Sequence, residues 1–409
     1  MHSSHGLALR PLGAFENHFA AFAEVSLPIF CVVARIKGKV RSDELERAAA
    51  AVQTRHGILA STIRRGDGDR RTLFRSGNPL PVEIREAAEA RWQDVAAIDV
   101  IRPFDVENGP LARFTAVQDQ SGTHILLTMH HAIADGMSAV MVLRDLLVAL
   151  SGGRLTKYDT IECLDGLLAA DLPAAFQAPA ASKSAGLRDQ RPWMERTDNV
   201  PTVRNVTLDR DFTDGIIAAA RAQRTTVHSA LSVALARVLH RNGIVTADGA
   251  VRVVSPINVR PYLNNTQQCG LFFSGMMEAY KPSSLSFWED ARAAHASMAP
   301  YRSRKSALST VVNAARLSAQ DDGAEAAKQA MKSIVNREVL ISNLGRIDVP
   351  EHYGDLALES ITGPIMSQCV HGDNLVGAAT FRGEMQLVHT TIDGYTPLLE
   401  ETVDLLRSP

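Results

Sequence analysis

The sequence holds few cysteines: Cys31, Cys163, Cys269 and Cys369 are the only four in 409 residues. They are scattered and show no ligand spacing, so no metal site is expected. Reduced, mostly buried thiols in a cytoplasmic protein are the expectation instead. Net charge is also small. The formal balance is -2 at pH 7, which argues against strong nucleic-acid binding. No apolar run approaches the roughly 18 residues that mark a membrane-spanning helix. Met1 to Arg10 lack a charged region followed by an apolar one, so no secretory signal is read there. Two catalytic signatures are missing as well. No Gly-x-Ser-x-Gly elbow supports a serine hydrolase, and no His-Glu-x-x-His supports a zinc protease. What is present is an ordinary globular balance, 45% hydrophobic and 22% charged. The length suits two or three domains and a large core.

The stretch around which the chain is organised is His130 to Gly136, His-His-Ala-Ile-Ala-Asp-Gly. Before it, Thr123 to Met129 is a short apolar run rich in strand formers. After it, Met137 to Leu150 sets Val140, Leu143, Leu147 and Leu150 on one side of a helix. The seven residues therefore read as a strand end, a tight turn and a helix start, with Gly136 easing the change of direction. Adjacent side chains on a strand face opposite ways. An extended His130 and His131 point apart, which argues against both ligating one metal ion and lets a single imidazole face a cavity. A histidine near neutral pKa is the usual general base. Asp135 can orient that imidazole, or can anchor the turn by pairing with an arginine elsewhere. A His-His pair at a strand end is, by itself, most often structural. The full pattern at a strand-to-helix junction is much rarer.

Elsewhere the pattern alternates strands and amphipathic helices. Strands are expected over Ile29–Ile36, Arg113–Val117, Val203–Leu208, Val251–Pro256 and Val339–Ser342, with hairpins at Gly66–Phe74 and at Arg382-Gly383 between Leu375–Phe381 and Met385–Thr391. A helix capped by Ser42 carries Leu45, Ala48, Ala49 and Val52 and ends near His56 and Gly57. Others start near Asp214, span Val227–His240, and span Ser286–Met298 with a Ser286–Glu289 capping box. A last one, Thr396–Leu406, has Thr396 as cap and Pro397 in its first turn. Pro173 to Pro192 has no periodicity and reads as a linker. His228 and His240 are assigned to structure. Arg302, Arg304 and Lys305 form a basic cluster that could meet a coenzyme A phosphate or an acidic carrier protein, or could be a solvated face. Hairpin-joined strands mixed with helices indicate an α+β class rather than a doubly wound one.

His130, His131, Asp135 and Gly136 match in full the His-His-x-x-x-Asp-Gly signature of the acyltransferases related to chloramphenicol acetyltransferase. That superfamily includes peptide condensation domains, plant BAHD acyltransferases and stand-alone polyketide-associated acyltransferases of the phthiocerol dimycocerosyl transferase type, which this chain resembles most. Arg10 to Glu16 looks like the opening of the stand-alone enzymes. Arg102-Pro103-Phe104-Asp105 through Gly109-Pro110-Leu111 is similar to the segment that precedes the motif in condensation domains. Asn258-Val259-Arg260 followed by Gly270-Leu271-Phe272-Phe273 resembles BAHD enzymes, and Ser342-Asn343-Leu344-Gly345-Arg346 a segment of the stand-alone type. The chain departs from condensation domains at His56-Gly57-Ile58-Leu59-Ala60, where their arginine is missing.

The resemblance covers nearly the whole chain. It implies two chloramphenicol-acetyltransferase-like subdomains in a V, with the active-site tunnel at their interface: residues 1–172 carrying the motif, a linker at 173–195, and residues 196–409. It implies acyl transfer from a thioester to a hydroxyl, with His131 and Asp135 as catalytic residues. His130, Gly136 and Arg260 would support them, Arg260 by pairing with Asp135. Ser342, Asn343 and Gly345, on a loop crossing between the halves, would contact substrate. No permanent cofactor is implied; coenzyme A or a phosphopantetheine thioester is the co-substrate. An acyl carrier protein is a candidate partner, and a monomer suffices because the fold forms a pseudo-dimer within one chain. An amine acceptor giving an amide remains open, as does a silent module that recruits a partner, although such modules often have a damaged motif.

Overall fold

The computed structural model describes residues 7–24, 26–66, 70–88, 90–158, 162–177, 199–263, 267–281, 286–320, 336–368 and 370–408. The chain begins with β1 (Ala8–Pro11), α1 (Ala14–Phe22), β2 (Ile29–Lys37) and α2 (Ser42–Arg55). Next come β3 (Ser61–Arg65), β4 (Arg71–Arg75), β5 (Val82–Glu86) and α3 (Trp92–Asp99). The motif region is β6 (Ala112–Gln118), β7 (Gly122–His130) and α4 (Gly136–Leu150), followed by the short α5 (Leu164–Leu167) and α6 (Leu172–Gln177). Then follow β8 (Thr202–Leu208), α7 (Arg210–Ala222), α8 (Val227–Arg241), β9 (Val251–Asn258) and β10 (Phe273–Tyr280). After α9 (Phe287–Met298) and α10 (Arg304–Gln320) come β11 (Val339–Arg346), β12 (His352–Tyr353) and β13 (Leu356–Met366). The chain closes with β14 (Asp373–Phe381), β15 (Glu384–Ile392) and α11 (Leu398–Arg407).

Among the described residues the strands form two six-stranded sheets and a small three-stranded one, so the class is α+β. The first large sheet runs β12-β13-β2-β7-β6-β5, and the second β10-β9-β11-β14-β15-β8. Strand alternation explains the packing of the first sheet. On β2, Phe30, Val32, Ala34 and Ile36 join a core with Leu45 and Val52 of α2 and Leu143 and Leu147 of α4. The intervening Cys31 and Val33 face the other way, onto Val95 and Val100 near α3 and onto Val203 and Val388 of the second sheet. The second sheet is covered by α8 and α11, through Leu231, Leu235, Val238, Leu398 and Val403.

Several boundaries differ from expectation, each for a local reason. The helix expected near Asp214 begins at Arg210, because the Asp209 carboxylate accepts from the Phe212 amide at 2.8 Å and caps it earlier. The residue capping α2 is Arg41, whose N–H donates to Glu44, and Ser42 is already helical. Likewise Pro397 caps α11 in place of Thr396. Residues 173–177 of the expected linker belong to α6, while 178–198 lie outside the described residues, as does Cys369. The segment expected as a loop at Asn343–Arg346 is the end of β11, paired in parallel with β14; its register slips between Asn343 and Arg346, where Gly345 sits at a φ of +71°.

The connection between halves is made by β13. It lies late in the chain yet pairs antiparallel with β2, from Ala357 against Lys37 to Met366 against Phe30. Directly after it, β14 enters the second sheet. The two strands press together at Gly377, where an added Cβ would lie 2.3 Å from the Pro364 carbonyl oxygen. Neither backbone can swing aside as a flexible side chain would. Gly377→Ala should therefore cost about 1–3 kcal/mol, the usual overpacking range, read as a lower denaturant midpoint. An unchanged midpoint would show that this junction yields.

Candidate active site

His130 ends β7 paired with Ile29, and the His131 amide donates to the Pro28 carbonyl at 2.7 Å. The chain then turns, and Asp135 caps α4 by accepting from the Ser138 amide at 2.8 Å. The two histidines do part company. His131 lines a cavity of about 300 Å³, while His130 lines a different one. The His131 cavity takes Phe15, Phe19 and Phe30 from the first part of the chain and Phe273, Met276, Leu340 and Met366 from the second. It therefore sits between the two large sheets, and its walls are mostly apolar.

His131 Nδ1 lies 3.0 Å from the Ala134 carbonyl oxygen. A carbonyl can only accept, so Nδ1 carries the proton and the lone pair is left on Nε2. The ring stacks on Phe19 at 4.9 Å and tilts against Phe30 at 4.6 Å. Burial among these rings pushes its pKa down to about 4, against the pull of the Asp135 charge and the Ala134 carbonyl. Near neutral pH the imidazole is uncharged and able to accept a proton.

Asp135 is committed to structure. One oxygen accepts from Ser138; the other accepts from Arg260 Nη1 at 2.7 Å and from the Phe272 amide at 2.8 Å. Both side chains of the Asp135–Arg260 ion pair are buried. Arg260 Nη2 donates to the Ser138 hydroxyl at 2.7 Å, and that hydroxyl donates to the Gly270 carbonyl at 2.6 Å. The guanidinium also covers the Phe272 ring, 4.8 Å from its centre. Ser138 escaped the sequence reading, since nothing in the motif marks a residue three places beyond Asp135 as a second anchor. Gly136 starts α4 where a Cβ would meet the Leu344 side chain at 2.7 Å, with Pro364 beyond it. Its small size lets the helix start press against β11 and β13.

Ser342 and Asn343 line the cavity. Gly345 stands back from it, donating its amide to Asn343 Oδ1 at 2.8 Å and so holding that side chain. His18 and Gln368 also line the cavity and carry no sequence signal. His18 is buried, which pushes its pKa to about 4. His228 bonds Ser255 at 3.0 Å, a structural contact. In the basic cluster, Arg304 is paired with Asp171 at 2.6 Å, Arg302 leans on His295, and Lys305 is exposed. Among the described residues no helix is long and apolar enough to cross a membrane.

Residues 29–155 match the family model described as Condensation domain. A plipastatin synthase protein from Bacillus subtilis (strain 168) is 26% identical over 269 residues, 61% of this chain but 10% of that protein. The chain thus spans about a tenth of that curated relative. Among solved structures, the first condensation domain of the CDA synthetase superposes with a TM-score of 0.71 at 16% identity, covering 97% of this chain and 95% of the other. Polyketide synthase associated protein 5 from Mycobacterium tuberculosis gives 0.66 at 15% identity, covering 98% of each chain. TRI3 trichothecene 15-O-acetyltransferase from Fusarium sporotrichioides gives 0.69 at 13% identity, covering 97% of this chain and 94% of that one. The chain thus has the condensation-domain fold over nearly its whole length and a condensation-domain sequence signature over the part that carries the His motif.

Breaking a buried ion pair from one side leaves an uncompensated charge, which typically costs about 3–5 kcal/mol. Arg260→Met should show a loss of that size in chemical denaturation. Burial works to raise the Asp135 pKa, but the Arg260 charge and the bonds from Arg260, Ser138 and Phe272 outweigh it and hold the carboxyl below its ordinary value. Its stabilising contribution is then full above the unfolded value of about 4 and is lost as pH falls through the folded value. The gap between wild type and Arg260→Met should accordingly narrow on acidification below about pH 4. A gap that stays constant would remove Asp135 as the partner.

Proposed function

We propose that the protein is an acyltransferase that moves an acyl group from a thioester to a hydroxyl acceptor. The observation that carries this reading is the uncharged His131, with its lone pair on Nε2, at the wall of an apolar cavity between the two sheets. In the proposed reaction the acceptor hydroxyl gives its proton to His131 Nε2 while its oxygen attacks the thioester carbonyl carbon. A tetrahedral oxyanion forms. It collapses with cleavage of the C–S bond, the imidazolium returns the proton to the leaving thiolate, and ester and thiol depart. No covalent enzyme intermediate is needed. The cavity walls hold the reacting atoms about 3 Å apart and exclude water. Asp135 and Arg260 hold the turn that presents His131, and Ser342 and Asn343, which line the same cavity, would contact the reacting carbonyl.

The donor thioester is carried on coenzyme A or on the phosphopantetheine of an acyl carrier protein, which would then be the protein partner. Hydroxyl acceptors have a parallel in the fold neighbour named as a 15-O-acetyltransferase. An amine acceptor, giving an amide, is the second reading; it is favoured by the sequence match to plipastatin synthase. The proton transfer is the same in both, so the product decides.

Thiol release should be followed with acyl-coenzyme A and acylated carrier-protein donors, with alcohols and amines as acceptors. Product mass separates ester from amide. His131→Ala should lower turnover by about 10²- to 10⁴-fold, roughly 3–5 kcal/mol of barrier, with an intact fold by circular dichroism. Full activity in that variant would sink the mechanism. Because burial holds His131 near 4, the acid limb of kcat/KM should fall well below the ~6.5 of an exposed histidine. A limb centred at the ordinary histidine value would count against this imidazole as the base.

A further inference from the structure

His18 stands on the wall of the His131 cavity and takes no part in the proton transfer proposed for His131. It lies on α1, where Phe15, His18 and Phe19 are three and four residues apart and so share one face of the helix. All three line the cavity. The Phe19 ring touches both imidazoles: His131 stacks on it at 4.9 Å, and His18 meets it edge-on at 5.7 Å. His18 is 6% exposed. Among the described residues its ring nitrogens meet no hydrogen-bond partner and no charge. They are not sealed off as His130 Nε2 is, and they keep accessible surface. In the free protein water can reach them. A substrate that fills the apolar cavity expels that water, and the imidazole then bonds to the substrate or to nothing. A site of this kind rejects an analogue that lacks the matching group, because the polar side chain is left unpaired.

The walls decide which group matches. Burial keeps the His18 ring uncharged near neutral pH. An uncharged imidazole offers one N–H donor and one bare nitrogen that accepts. A hydroxyl answers either nitrogen, since it both donates and accepts. A charged group is held poorly. Among the described residues Asp135 and Arg260 are the only charged side chains lining the cavity, and they neutralise each other. An ammonium or carboxylate would enter without a counter-ion, which is costly in apolar surroundings. We infer that His18 is a specificity-determining residue, which hydrogen-bonds a neutral hydroxyl that the substrate carries in addition to its reacting groups. That hydroxyl sits on the acyl chain or on the acceptor, and the same bond serves either source. The role rests on the reading of the His131 cavity as the acyl-transfer site.

The test is kcat/KM for matched substrate pairs, followed by thiol release from the full chain. One arm compares 3-hydroxyoctanoyl-coenzyme A with octanoyl-coenzyme A at a fixed alcohol. The other compares 1,6-hexanediol with 1-hexanol at a fixed donor. Wild type should favour the hydroxylated member in one arm by about tenfold or more, the worth of one such bond, and that arm names the source. His18→Phe keeps a ring and removes its polar atoms, and should bring the ratio to about one, mainly through KM. His18→Gln restores a donor and an acceptor and should recover part of the ratio. Should His18→Phe fail to fold by circular dichroism, His18→Leu takes its place. A wild-type ratio of about one in both arms, or a ratio kept in His18→Phe as a packing role would leave it, would overturn the inference. Turnover of no substrate at all would instead count against the acyl-transfer reading. Calorimetry of wild type with methyl 3-hydroxyoctanoate against methyl octanoate, and with the two alcohols, then decides for His18. No tighter binding of either hydroxylated member would overturn its role.

Discussion

The buried pair of Asp135 and Arg260 joins two parts of the chain that are 125 residues apart. Taking two charges out of water is costly unless every remaining bonding position is filled. Here most of them are filled by the backbone and one hydroxyl, the Ser138 and Phe272 amides on the carboxylate and the Ser138 hydroxyl on the guanidinium, while Arg260 Nε is left without a partner. The same bonds cap α4 and pin the segment after β9, so the turn that presents His131 is held from both sides. A carboxylate engaged in this way, with its pKa held below the ordinary value, is a poor base. Its bonds hold the turn on which the imidazole stands.

The chemistry of His131 follows from its surroundings. Aromatic rings crowd it, and burial disfavours the charged form, so the ring stays neutral near neutral pH. The Ala134 carbonyl settles which nitrogen is free. His130, one residue earlier, is buried too, but its ring points to the opposite side, where it is held by the Ala132 amide. A two-residue repeat of side-chain direction thus separates two imidazoles of similar environment into two cavities.

A cavity between sheets needs both walls fixed. β13 supplies that constraint by pairing with β2 in one sheet while packing on β14 of the other, close enough at Gly377 to exclude a side chain. Gly136 plays the matching part at the motif, keeping the start of α4 against Leu344 and Pro364. Small residues at these two contacts bring the halves together, and the larger Phe19, Phe30, Met276 and Met366 line the space left between them.

Much of this was legible in the residues themselves. Alternation and helical spacing marked β2, β7, α4, α8 and the β14–β15 hairpin, because period and capping are local properties of the chain. Hairpin-joined strands mixed with helices carried the α+β class, and the order His-His-x-x-x-Asp-Gly, together with Asn-x-Arg, carried the pairing of Asp135 with Arg260 by resemblance. Helix starts at Arg210 and Leu398 slipped by a few residues, since several neighbouring side chains can cap and the sequence does not say which one folds back. Tertiary structure alone decided the rest: that Ser138 shares the ion pair, that residues 356–366 return to the first sheet, that Asn343–Arg346 continues a strand, and that His18 lines the cavity. Strand partners and cavity walls are set by which surfaces meet across long stretches of chain, and no local pattern encodes that choice.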